Sequence, residues 1–194
     1  MSWPLSLILL VVLYFFSLTH PGRFFLIQKK HLIFFILIAV FFIKNTLSSY
    51  FLYVSWAQDS FAYYFLPPYT PFTYFIRYSL THYWFNFLLS VIFAYFALIF
   101  FQWLNRRRNH LLFQPDELYF PSFIILILGH PAWLIFLILT PIAFILYSLL
   151  LFLINKKTDR VSFYHLFYPL AFLSLALHLS LLHSLSYSIL GIGR

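Results

Sequence analysis

Residues 120–155 contain no Asp, Glu, Lys or Arg, and basic residues stand on both flanks: Arg106, Arg107 and Arg108 before, Lys156, Lys157 and Arg160 after. As one straight helix the run would measure about 54 Å at roughly 1.5 Å per residue, against a hydrocarbon layer of about 30 Å. Basic clusters prefer the cytoplasmic side of a membrane. The run is therefore expected to cross twice, as a tight helical hairpin over residues 116–154. Two sites suit the turn, Gly129-His130-Pro131 and Thr140-Pro141. The first is preferred, because Gly ends a helix readily and a Pro soon after cannot continue it. This leaves a short arm, residues 116–128, of about 20 Å and a longer one, residues 133–154. An arm that short needs a locally thin bilayer or burial inside the protein.

The other apolar runs are residues 5–18, 32–48, 85–104 and 161–190. The first has no basic segment ahead of it and no small-residue cleavage site after it, so it reads as a retained membrane helix. In the second, Lys44 and Asn45 interrupt the pattern. A lysine near a helix end can reach the interface along its stem, which places the end of the span near Ile43. Pro169 falls in the early turns of the last run and is expected to start or kink that helix.

Residues 50–84 differ in kind. They are crowded with aromatic side chains, carry two charges, Asp59 and Arg77, and are broken by Pro67, Pro68 and Pro71. Tyr and Trp favour the membrane interface, so this stretch reads as an interfacial aromatic loop with one or two short helices lying on the bilayer. A binding surface for a lipid or an apolar peptide is the alternative. The whole is expected to be an all-α, polytopic helical membrane protein, one integral membrane domain with five to six transmembrane helices.

Composition agrees. Of 194 residues, 63% are hydrophobic and 8% charged, against about 25% charged in soluble domains. The net charge of +8 lies in short clusters beside apolar runs, where it orients the chain and meets anionic lipid. No basic face suits nucleic acid. The lipid bilayer and other membrane proteins are the expected partners. With no cysteine in the chain, disulfides, thiolate metal sites and cysteine nucleophiles are excluded.

Candidate chemistry is sparse. The four acids are Asp59, Asp116, Glu117 and Asp159. Asp116 and Glu117 follow Pro115, an ordinary helix start in which acids complement the N-terminal dipole. Asp159 reads as an exposed loop charge. His110, Asp116, Glu117 and His165 are the candidate set for a metal ion, but no pair has a recognised ligand spacing, so no metal or cofactor is expected. Ser174 and His178 share a helix face; His183 does not share it with His178. No Gly-rich phosphate loop or Gly-x-Ser-x-Gly nucleophile is present.

The stretch Gln114 to Ala176 resembles the C-terminal part of bacterial prepilin peptidases, the membrane aspartic proteases of type IV pilus systems. Asp116 opens the short arm, Gly129-His130-Pro131 makes the turn, Lys156-Lys157 the basic loop, and Pro169 stands near the next helix start. Upstream, Trp56-Ala57-Gln58-Asp59 followed by Leu66-Pro67 is similar to the surroundings of the family's other catalytic aspartate. The resemblance implies a membrane aspartic endopeptidase with Asp59 and Asp116 as catalytic residues, a pilus system as partner, and the bacterial inner membrane as location. The chain departs from the pattern at Phe113-Gln114-Pro115-Asp116, which lacks both glycines of the family motif, and no lysine follows two positions on. Charge bias also places Asp59 and Asp116 on opposite membrane faces, whereas an aspartyl pair must share a proton. The expectation is a non-catalytic relative acting through helix or interface contacts. Peptidase activity and a role in a transporter or channel are the alternatives.

Overall fold

Helix is the only regular structure among the described residues of the computed structural model, 3–19, 25–26, 28–107, 117–155 and 164–190. In chain order, α1 is Trp3–Leu18, α2 Lys30–Gln58, α3 Phe72–Ser79, α4 Phe85–Arg107, α5 Phe120–Leu128, α6 Ala132–Asn155 and α7 Tyr164–Leu190. A single π turn, Leu80–Trp84, joins α3 to α4, so helix runs unbroken over Phe72–Arg107. Among the described residues three stretches are long and apolar enough to cross a membrane: Lys30–Gln58, Phe72–Arg107 and Ala132–Leu150. Pro4–Leu18, Glu117–Leu128 and Leu166–Leu181 are apolar but shorter.

Two boundaries differ from those the sequence suggests. The helix expected to stop near Ile43 continues through Lys44 and Asn45 to Gln58, which puts Lys44 in the middle of a 29-residue helix. No Pro or Gly lies near residue 43 to stop the helix there, and Lys44 finds polar neighbours instead of an end. Likewise, the third apolar helix begins at Phe72, not Phe85. The aromatic stretch is mostly a helical hairpin, the second half of α2 against α3. Its connecting segment holds the Ala62–Phe65 3-10 turn and the three prolines. Aromatic content marked the region, but helix is interrupted only between Asp59, the extended cap residue of α2, and Pro71, which precedes α3. Trp56 joins the two limbs, its ring centroid 4.8 Å from that of Tyr78 and 5.7 Å from that of Phe75.

The short arm is resolved by burial. All nine residues of α5 are buried, and the helix touches α1, α2, α4, α6 and α7. Its start is tied to the start of α2: the Tyr119 ring lies under Lys30 Nζ at 4.5 Å, and its hydroxyl is 3.4 Å from His31 Nε2. Its end is the Gly129-His130-Pro131 turn, before α6 opens at Ala132. Gly129 has φ 64° and ψ 169°, a region essentially reserved for glycine, where a side chain costs about 1–3 kcal/mol. The next amide, His130 N–H, donates to Ser90 Oγ of α4 at 3.0 Å. Thr140-Pro141, the other turn candidate, lies inside α6.

α4 is built with its small side chains inward. Ser90, Ala94 and Ala97 are buried, while Leu88, Ile92, Tyr95, Phe96, Ile99 and Phe100 are exposed. Small residues at this spacing let backbones approach closely, a packing mode suited to helices whose solvent is lipid. In water the large apolar side chains would belong inside.

Candidate functional site

Two stripes of polar residues occur at one-turn spacing on facing helices. On α2 they are Lys44, Asn45 and Ser48; on the π turn and α4 they are His82, Asn86 and Ser90. Residues three or four apart share a helix face. The structure brings these six together around a cavity of about 170 Å³, lined also by Phe41, Phe87, Leu126 and Gly129. At roughly 30 Å³ per water, that is room for about five waters or a small polar group.

Hydrogen bonds brace the walls. Ser90 Oγ donates to the Asn86 carbonyl at 2.8 Å while accepting from His130 N–H. Just beyond the cavity, Ser79 Oγ donates to Ser49 Oγ at 2.6 Å, and Ser49 Oγ donates to the Asn45 carbonyl at 2.9 Å. Trp84 Nε1–H also donates to Ser49 Oγ, at 3.3 Å. The π turn contributes His82 and Tyr83 to the lining; such turns recur at functional sites. Asn45 and Ser90 are buried, Lys44, Ser48 and Asn86 are half-buried, and His82 is exposed, stacked on Tyr78 at 4.0 Å. No carboxylate lines the cavity among the described residues. The donors are an amine, amides, hydroxyls and an imidazole, and Lys44 is the one Lys or Arg of the lining. The arrangement can hold a polar, electron-rich group.

The sequence pointed elsewhere. Lys44 and Asn45 read as a helix end, and Asn86 lies inside the apolar run 85–104. The i, i+4 spacing of 44/48 and of 82/86/90 was the available signal for a polar seam between two helices.

Asp59 is fully exposed and serves the local backbone. Its Oδ1 accepts from the amides of Ala62 at 2.7 Å and Phe61 at 2.8 Å. These two bonds, Ala62's first, hold its carboxyl below the usual carboxylate range. A carboxyl with a lowered folded pKa contributes stability above its unfolded value of about 3.9, and loses it as pH falls through the folded value. Amide exchange at Phe61 and Ala62 is therefore expected to be slow at neutral pH and to stay protected somewhat below pH ~3.9. Asp59→Ala should abolish that protection at every pH while leaving helix content unchanged. Equal exchange in the two proteins would show that the cap is not formed.

Asp116 lies outside the described residues, as do His110, Asp159 and the Lys156-Lys157 loop, and the side chains of His165 and His183. Glu117 is described: it opens a 3-10 turn, Glu117–Tyr119, and is buried. Through Tyr119 this turn packs at the Lys30–His31 end of α2, whereas Asp59 follows the other end. The axial distance from residue 31 to residue 59 is about 42 Å. Ser174 is buried and donates to the Leu170 carbonyl at 2.6 Å, an ordinary turn-to-turn bond. Among the described residues no three His, Cys, Asp or Glu side chains are grouped to hold a metal ion.

Comparisons with protein-family models, with curated proteins and with solved structures find no match to this chain.

Proposed function

We propose that this is a multi-pass protein of the bacterial cytoplasmic membrane that works without an aspartyl catalytic pair, through contacts of its helices with lipid and with other membrane proteins. The multi-pass reading draws on three helices of spanning length and on the exposed apolar face of α4. The orientation follows from charge: Lys30 and Arg107 lie at the end of the bundle where Tyr119 packs, and basic residues mark the cytoplasmic side.

The observation that carries the non-catalytic reading is the position and use of Asp59. Its carboxylate caps a surface turn at the end of α2 remote from the segment that follows Asp116. A degenerate relative of prepilin peptidases fits this arrangement, because the resemblance lies in the hairpin arms and not in a shared acid pair.

The test is cleavage of a type IV prepilin leader peptide by the purified chain in lipid. The proposal expects no cleavage above background. Cleavage that is lost in both Asp59→Ala and Asp116→Ala would establish the peptidase instead. A second reading, a component of a transporter or channel, is favoured by the polar cavity, since polar groups within spanning helices commonly mark a transport path. Ion or solute flux in reconstituted vesicles that falls with Lys44→Gln would support it over the first.

A further inference from the structure

The cavity between α2 and α4 has a chemistry that the contact role above does not use. Its polar lining is rich in donors. Lys44 supplies an ammonium, Ser48 a hydroxyl, Asn86 a side-chain amide and His82 a ring N–H. Against them, no carboxylate among the described residues faces the space. An ammonium withdrawn from bulk water needs a counter-charge or a set of acceptors, and here its neighbours are neutral.

Size and shape narrow the occupant. About 170 Å³ is too small for a peptide side-chain cluster or a drug-sized ligand. It admits one compact group with acceptors on several sides. The donors come from two helices, so the group must accept from both walls. Lysine binds phosphate as a point charge, with neutral donors completing the contacts. A cation is disfavoured by Lys44, and Phe41, Phe87 and Leu126 supply apolar wall beside the polar groups, which suits a charged group carried on an apolar or compact body. Exposed His82 marks a rim through which a group tethered to a larger molecule can enter.

From this we propose that the cavity binds a phosphate group, with Lys44 as its counter-charge and Ser48, Asn86 and His82 as further donors. Both a phospholipid headgroup and a free inorganic phosphate carry this group. The site is independent of the contact role and of the aspartates. A phosphate held there would bridge α2 to α4 beside the Gly129-His130-Pro131 turn, at the point where the buried hairpin meets the aromatic one.

The test is equilibrium titration of the purified full chain in a phosphate-free detergent, once with inorganic phosphate and once with a short-chain phosphatidylglycerol. Saturable binding at one site per chain is expected for at least one of them. Binding of the lipid alone identifies a headgroup site; binding of inorganic phosphate identifies a site for the free anion. Lys44→Gln should weaken the binding roughly tenfold or more, and Lys44→Arg should largely keep it. Lys30→Gln, remote from the cavity, should bind like the unsubstituted chain. Should Lys44→Gln fail to fold, Asn86→Asp serves in its place, since a carboxylate in the cavity repels the anion. The proposal is overturned if neither ligand saturates, if Lys30→Gln weakens binding as much as Lys44→Gln, or if the folded cavity variants bind normally.

Discussion

Ile125→Asp is expected to abolish the native structure. Ile125 has no exposed surface and sits at the middle of α5, the helix that all the other long helices contact. A carboxylate there has no route to solvent along its short stem. An unpaired buried charge costs several kcal/mol, a large part of the roughly 5–15 kcal/mol that holds a domain together. Ile125→Val, which removes one methylene from the same place, should cost only about 0.5–1.5 kcal/mol. Thermal unfolding in detergent, followed by circular dichroism and size exclusion, separates the two. A cooperative, unshifted transition for Ile125→Asp would mean that α5 is not the centre of the bundle.

Ile145→Lys is expected to impair the protein for the opposite reason. Ile145 is 69% exposed and lies in the middle of α6. If the surrounding solvent were water, adding a lysine at such a position would change stability by no more than about 0.5 kcal/mol and would help solubility. If the solvent is lipid, a lysine near the centre of a spanning helix costs at least about 2.5 kcal/mol, a factor of roughly 70 in an insertion equilibrium. Insertion of α6, scored by glycosylation of reporter sites on either side, should fall sharply. Ile125→Asp tests the inside of the bundle and Ile145→Lys its surroundings. Normal insertion, or release of the variant into a detergent-free soluble fraction, would contradict the membrane reading.

The apolar runs were legible because a charge-free stretch of this length has few alternatives, and the Gly129 turn because glycine alone suits its backbone. Burial of α5 was one of two readings open at the sequence level; a hydropathy pattern does not distinguish a helix facing lipid from one surrounded by other helices, since both are uniformly apolar. Lys44 was misplaced for a related reason. A lysine in an apolar run looks like an end until a partner seam is seen, and that seam is formed by His82, Asn86 and Ser90 on another helix. The start of the third long helix was hidden by aromatic residues, which favour interfaces but also pack well in a helical hairpin, as Trp56 does against Phe75 and Tyr78. Asp59 drew attention as a rare acid. Its role as a cap for the turn behind it depends on backbone direction, which spacing alone did not reveal.

Asp59 and the segment beginning at Glu117 belong to opposite ends of the bundle. Because the chain has no cysteine, single cysteines in place of Asp59 and Asp116 can be labelled without background. With a membrane-impermeant thiol reagent on intact cells, Asp59→Cys should react at once and Asp116→Cys only after the cells are opened. Equal protection of both positions until opening would put the two aspartates on the same cytoplasmic side and contradict the arrangement.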